Sequence, residues 1–344
     1  MADAPTDRTQ VHTLLGLSTV LTAVTVLAIA ARCVIRFVLI RDPGMDDYMI
    51  ILSLIFTIAF VAMMYWAASC GLGDPMTTLS LTEMTNILKS TFVVEIVYYA
   101  AIFCVKSSIV FMYTRFAISE GFKKLCLGTN ILLALFFVVC IGTTVGQCTP
   151  LYKFWDVTKL VSGNCINTTA FFYFTSGFNI LTDLWILGLP IPTLRKLQIS
   201  RHNRYVLYGV FGVGAFASAM SCVRLYSIHT YTQAQDPFKD GVLINIWSIV
   251  EMTVAIWCAS APALKPLFTP SRLMEARKQR KGGYSSRGNH SDEPSGFSKM
   301  STHSATPSQS HIVPVQTHSR DGSDRRASPT TDDFEMQEAA RSQV

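Results

Sequence analysis

Charge is scarce in this chain. Only 15% of its 344 residues are Asp, Glu, Lys or Arg, against 50% apolar, where a soluble domain carries about 25% charge. The shortage excludes an ordinary water-soluble domain, because several apolar runs reach the roughly 18 residues that read as a membrane span. The net charge of +6 does not point to nucleic acid, since the basic residues sit in short clusters between apolar runs. That distribution belongs to membrane topology. Catalytic motifs are missing too: there is no H-E-x-x-H, C-x-x-C, G-x-S-x-G or P-loop. His12, His202 and His229 stand isolated. Neither an enzyme, a metal site nor another cofactor is expected, and no internal repeat is found.

What is present is a series of seven apolar segments, at about 12–38, 47–70, 92–117, 125–146, 169–192, 205–229 and 242–264. The first is not read as a signal peptide. Asp3 and Asp7 oppose Arg8, so no basic leader precedes it, and the run from Val11 to Ala31 is too long for a leader's apolar core. Backbone in lipid must satisfy its own hydrogen bonds, so each segment reads as a helix, with no alternating barrel pattern. The fold class is therefore all-α, a polytopic seven-transmembrane-helix bundle over 12–268. About eleven residues precede it and a tail, 269–344, follows.

Lys and Arg in the short loops set orientation. With the N-terminus outside, sixteen of them face the cytosol (Arg32, Arg36, Arg41, Arg115, Lys123 and Lys124 among them) against five outside: Arg8, Lys89, Lys153, Lys159 and Lys239. N-terminus out and C-terminus in is the expectation, with the plasma membrane as location. The tail is rich in Ser, Thr, Gln, Arg, Gly and Pro and is expected to be disordered. Thr306 and Ser328, each before a proline, are candidate phosphoacceptors within it.

Cys148 and Cys165 bracket a loop on the outer side, where a bridge would tie two helix mouths. Cys70 as partner of either remains the alternative. Asn167-Thr168-Thr169 is a glycosylation sequon on the same side. Between the second and third segments, Met76, Leu79, Met84, Ile87 and Leu88 recur at helical spacing. They fit either a short interfacial helix or an outward extension of helix three.

Five ionisable residues fall inside the spans: Glu95, Lys106, Asp183, Arg224 and Glu251. Each costs about 2.5–3.5 kcal/mol at a helix centre on insertion scales, so each should face the bundle interior and find a partner. Glu95 and Lys106 share a face but lie about 16 Å apart along the helix, too far to pair. Lys106 is therefore expected to meet Asp183 or Glu251, with Arg224 and Glu95 the second pair. Asn179 shares a face with Asp183. This polar network is either a structural device that sets helix register or a ligand-responsive or proton-linked cluster.

At the other end, "GMDDYMIIL" opens the second helix. Asp46 is placed as its N-cap and Asp47 in its first turn against the positive end of the helix dipole, with Arg36 and Arg41 upstream as counter-charge.

The set "GMDDYMIIL" (44–52), "CGLG" (70–73), "LKSTFVVEIVYYAAIFCVKSSIVFMYTRF" (88–116), "CTPLYKFWD" (148–156), "GNC" (163–165), "NILTDLWILGLPIPTLRKL" (179–197) and "WSIVEMTVAIWCASAPALKPLF" (247–268) resembles the fungal rhodopsin-domain integral membrane proteins. That family includes satratoxin-cluster membrane proteins and overlaps pathogenicity-associated receptor-like proteins of filamentous ascomycetes. The resemblance implies a seven-helix membrane protein, often described as receptor-like. It places the family's acid pair on Asp46 and Asp47, its helix-three lysine on Lys106 and its helix-five motif on Asn179, Asp183, Pro190 and Pro192. Its helix-seven acid falls on Glu251, with the terminal proline on Pro262. Met45 stands where the family commonly has tryptophan. Retinal is not expected despite the family's title: a Schiff base needs a buried lysine near the middle of the last helix, and 242–264 contains none.

The resulting expectation is a receptor-like sensor without retinal, with the lipid bilayer, an unidentified ligand and a cytosolic signalling partner as its contacts. The alternative is a small-molecule or ion transporter or channel that uses the intramembrane charges, though transporters usually show repeats and paired broken helices.

Overall fold

The computed structural model describes residues 8–117, 119–158, 160–191, 201–232 and 237–264. Seven long helices are found among them: α1 Thr9–Cys33, α2 Met45–Ser69, α3 Leu81–Phe116, α4 Glu120–Val145, α5 Thr168–Gly188, α6 Arg201–Thr232 and α7 Pro237–Leu264. A π-helical stretch, Val34–Ile40, prolongs α1 without a break. Six of these helices (α1 with its extension, α2, α3, α4, α5 and α7) are long and apolar enough to cross a membrane. α6 is equally long but opens on Arg201, His202, Asn203 and Arg204 and is not among the six.

Local chemistry marks where the helices start. Ser80 Oγ accepts from the Glu83 amide at 3.3 Å while Glu83 Oε2 accepts from the Ser80 amide at 2.8 Å. This capping box starts α3 at Leu81, so Met84, Ile87 and Leu88 belong to an extension of helix three, while Met76 and Leu79 precede it. Ser119 caps α4 through the Phe122 amide, and Asn167 caps α5 through the Ala170 amide. α5 ends at Gly188, ahead of Pro190, since a proline cannot continue the hydrogen-bond ladder behind it.

The helix connections gather the start of α1, the end of α2 and the starts of α3, α5 and α7 at one end of the bundle. α3 is the axis of the fold, with 78% of its most apolar window buried, against 22% for α4 at the periphery. Phe60 and Met64 from α2, Tyr98 and Ala101 from α3 and Met252 from α7 belong to the main apolar core. Ile131, Leu135 and Val138 of α4 point outward, as expected of a helix whose far side meets hydrocarbon rather than water.

At the same end Cys148 pairs across a two-residue antiparallel ladder with Cys165, and the two are joined by a disulfide. Cys70 is free, so the open pairing resolves to Cys148–Cys165. The bridged segment carries a short 3-10 helix, Leu151–Trp155, whose Phe154 and Trp155 rings pack on Phe92 of α3 at 6.0 and 6.3 Å. The "CGLG" turn after α2 needs its glycines. Gly71 and Gly73 have φ of 95° and 92°, a region costly for other residues. A Cβ on Gly73 would stand 2.3 Å from Val11 Cγ2. The turn is clasped on both sides: Gly73 donates its amide to the Phe238 carbonyl at 3.1 Å, and Asp74 pairs with Arg8.

Candidate functional site

The intramembrane charges converge on one network among α3, α5, α6 and α7. Lys106 lies on α3, the most buried of the candidate spans, and among the described residues its ammonium bonds to α5. It reaches Asp183 Oδ1 at 2.8 Å, Asn179 Oδ1 at 2.6 Å, the Asn179 carbonyl at 2.8 Å and Thr182 Oγ1 at 2.7 Å. Asn179, Thr182 and Asp183 share a face of α5 by their three- and four-residue spacing, so one cation meets three side chains and a carbonyl.

Glu251 of α7 is the second centre. Its Oε1 accepts from Asn179 Nδ2 at 2.6 Å and from Ser221 Oγ of α6 at 2.6 Å. Its Oε2 accepts from the Tyr98 hydroxyl at 2.7 Å and stands 3.7 Å from Arg224 Nε. The Arg224 guanidinium lies over the Tyr98 ring, 4.1 Å from its centroid. Taking charges out of water costs several kcal/mol each unless partners and hydrogen bonds compensate. Lys106 against Asp183, with amide and hydroxyl groups filling the remaining valences, meets that condition; Arg224, 3.7 Å from Glu251 and without a hydrogen bond at Nε, meets it less fully. Ser221 adds a pivot, for its Oγ is also 2.9 Å from Asp183 Oδ2. A hydroxyl has one proton, so Ser221 donates toward the Lys106–Asp183 pair or toward Glu251, not both.

Above this network a cavity of about 490 Å³ opens toward the disulfide end. Phe60, Ile87, Leu88, Ile228, Phe238 and Ile244 supply apolar wall, with Phe154 of the bridged segment and Thr168 also on its lining. Glu95, Tyr98, Tyr99 and Arg224 line the same cavity, so Tyr98 and Arg224 belong both to it and to the charge network. Volume and lining are those of a small-molecule site: sites of roughly 300–1,000 Å³ are mostly apolar with a few convergent polar groups.

One expected pair is corrected. Arg224 pairs with Glu251 rather than with Glu95. Glu95 instead accepts, through Oε1 alone, from Thr144 of α4 at 3.2 Å and from Tyr99 at 3.4 Å. Residues 95 and 224 both reach the cavity, but α6 is rotated so that the arginine lies across the Tyr98 ring. Tyr98 and Ser221 were missed by sequence reading. An aromatic and a small hydroxyl residue within helices look like ordinary packing, and it is the carboxylates opposite them, Glu251 for both and Asp183 for Ser221, that give them a polar task.

A second cluster closes the opposite end. Arg32, fully buried, donates to Asp46 Oδ2 at 2.7 Å, to Asp47 Oδ1 at 2.9 Å and to the Ala259 carbonyl of α7 at 2.6 Å. Arg36, one turn further along α1, stands 4.0 and 3.9 Å from the same two carboxylates, and Arg115 of α3 is 3.8 Å from Asp46. Ser108 of α3 donates to the Asp46 carbonyl at 2.7 Å. Here the expected N-cap is corrected as well. Gly44 is the N-cap of α2, Asp46 sits inside the first turn, and Asp47 reaches back to the Gly44 amide at 3.1 Å. Asp46 gives its Oδ2 to Arg32, because a buried guanidinium is a stronger partner for a carboxylate than the amides of a helix start. Arg32 was read only as a loop charge, whereas it is the centre of the cluster. Arg41 ends the α1 extension in a left-handed conformation, φ 53°.

Asn167 is exposed and caps α5 with Oδ1. Pro262 lies within α7. Pro192, Thr306 and Ser328 fall outside the described residues.

Residues 31–270 match the family model described as the fungal rhodopsin domain. The chain is 30% identical over 147 residues to Satratoxin biosynthesis SC1 cluster protein 4 of Stachybotrys chartarum, covering 43% of this chain and 49% of that protein. Against the SAT4 family membrane protein of Emericella nidulans it is 26% identical over 250 residues, 71% of this chain and 60% of the relative. Receptor GIN3 of Arthrobotrys oligospora is 29% identical over 142 residues, 40% of this chain and 34% of that receptor. The chain thus spans between a third and three fifths of the length of these relatives. No solved structure matches it.

Proposed function

The chain belongs to the fungal rhodopsin domain family, and from that premise we propose that this multi-pass membrane protein is a receptor-like sensor that binds a small molecule without retinal. One observation carries the reading: the cavity floor and the buried charge network share Tyr98 and Arg224. An occupant that moves either residue changes the contacts of Glu251, and through Ser221 the balance between Glu251 and the Lys106–Asp183 pair. A two-position hydroxyl among four helices is the kind of element whose equilibrium a ligand can bias. A relative named as a receptor supports the same direction.

In this reading α6 also crosses the bilayer, giving seven spans. The disulfide end faces outward, following the sixteen-to-five excess of Lys and Arg on the other side. The plasma membrane is its place, Asn167 its glycan acceptor, and the tail with Thr306 and Ser328 its contact to a cytosolic partner. Catalysis is not part of the proposal.

The test has two arms. A glycosylation or reporter fusion after Leu160 is expected on the outer side of the membrane and one after Val344 in the cytosol. Ile244→Trp, which fills the cavity, is expected to abolish ligand-dependent stabilisation and signalling while leaving the protein folded. Transport of a solute that Asp183→Asn abolishes, with no signalling defect, overturns the sensor in favour of a transporter. A visible absorption band bleached by hydroxylamine overturns the statement on retinal.

A further inference from the structure

The cavity floor has a feature that ligand binding alone does not require. Glu95 and Arg224, an acid and a base, both line it and form no ion pair with each other among the described residues. Glu95 takes its two hydrogen bonds on one oxygen, at 3.2 and 3.4 Å, and forms no ion pair among the described residues. Arg224 is more than nine-tenths buried, yet its Nε has no hydrogen-bond partner and its carboxylate neighbour, Glu251, stands at 3.7 Å. Buried charged groups normally have close, hydrogen-bonded partners, and here a carboxylate and a guanidinium both fall short of that at the base of an apolar chamber.

We propose that the chamber takes an amphipathic molecule with a zwitterionic head, an amino-acid-type group on a hydrocarbon body. The head's ammonium meets Glu95, its carboxylate meets Arg224, and the hydrocarbon fills the wall formed by Ile87, Leu88, Ile228, Phe238 and Ile244. A purely anionic head would answer Arg224 but press a second negative charge toward Glu95. A purely cationic head would do the reverse. The first would leave Glu95 without a counter-charge, and the second would leave Arg224 with only its 3.7 Å contact to Glu251 while adding a like charge beside it. A head with both signs avoids both, and the cavity of about 490 Å³ leaves room for a body well beyond an ordinary amino-acid side chain. The inference rests on the chamber being the ligand site proposed above and adds the chemistry of its occupant.

A matched series tests it on the full chain in lipid nanodiscs: α-aminodecanoic acid, decanoic acid, decylamine and decanol, read by thermal shift across concentration. Wild type is expected to bind the zwitterion about tenfold or more tighter than either single-charge analogue, the value of one charged hydrogen bond. Glu95→Gln is expected to erase the advantage over decanoic acid, and Arg224→Gln the advantage over decylamine. Should Arg224→Gln not fold, Glu95→Gln decides alone, because the change expected is a specific loss of ranking and not a general weakening. Equal or better binding of decanoic acid or decylamine by wild type overturns the inference, as does the absence of any shift. Binding without preference that Ile244→Trp abolishes overturns the zwitterion and leaves the chamber standing. Binding that Ile244→Trp leaves intact overturns the chamber itself.

Discussion

Replacing Arg32 by glutamine separates two accounts of the aspartate pair at the start of α2. If Asp46 and Asp47 mainly cap a helix, their worth is about 0.5–2 kcal/mol and Arg32 matters little. The geometry says otherwise. Arg32 is fully buried, as Asp46 and Asp47 nearly are, and three of its donors are engaged at 2.6–2.9 Å. Removing one partner of such a buried cluster leaves uncompensated charge and costs about 3–5 kcal/mol. Arg36 and Arg115, both within 4.0 Å of the carboxylates, hold the loss to the lower part of that range. At roughly 2–4 °C per kcal/mol, a fall in thermal midpoint of roughly 6–15 °C is expected. Size-exclusion of detergent-solubilised protein after a heating series measures it. Adding Asp46→Asn and Asp47→Asn to the Arg32→Gln chain should recover part of the loss, since neutral amides are cheaper to bury than unpaired carboxylates. A midpoint for Arg32→Gln within a degree or two of wild type, with Asp47→Ala costing more, refutes the reasoning.

Cys165→Ser, which frees a loop whose bridge spans 17 residues, should lower stability by about 3 kcal/mol, seen as a lower midpoint that reducing agent reproduces in wild type. Gly73→Ala meets both a φ of 92° and Val11 at 2.3 Å; a loss of about 1–3 kcal/mol is expected, larger than for Gly128→Ala, where a Cβ meets nothing within 4 Å. In the bridged loop, Asp156 is held below the usual carboxylate range by hydrogen bonds from the Thr158 side chain and the Val161 amide. A lowered folded value means that the stabilisation exists above the unfolded carboxylate value, about 3.9, and is lost as pH falls through the folded one. The emission of neighbouring Trp155 should therefore change on acidification below about pH 4, and Asp156→Asn should remove that transition.

What the sequence made legible follows from what helices transmit. Spacing along one chain tells which residues share a face, so Asn179 and Asp183 could be grouped and Lys106 aimed at Asp183 or Glu251; it meets Asp183 at 2.8 Å. The paired cysteines around one loop also read correctly. Rotation of one helix against another is set by packing, which no spacing records. That is why Arg224 was expected beside Glu95 and is found on Glu251, and why Ser221 and Tyr98 passed as core. Arg32 was hidden for a different reason. Basic residues at a span's end are the ordinary sign of topology, and it takes the unbroken run of α1 into Val34–Ile40 to set Arg32 and Arg36 a turn apart, both within 4.0 Å of the aspartate pair. The start of α3 stayed open because residues 76–88 are amphipathic either way, and the Ser80–Glu83 box chooses.

Arg32 also bears on how the chain is assembled. α1 is the first of these helices to leave the ribosome, and it enters the bilayer with a guanidinium whose carboxylates arrive only with α2, 14 and 15 residues later. With Arg36 added, the α1 run and α2 together balance two guanidiniums against two carboxylates. The remaining donor waits for the Ala259 carbonyl, 227 residues downstream. Until α7 has docked, that proton lacks its Ala259 acceptor, so a chain stalled or cut before its last helix leaves a buried donor unpaired at the Arg32 end of the bundle.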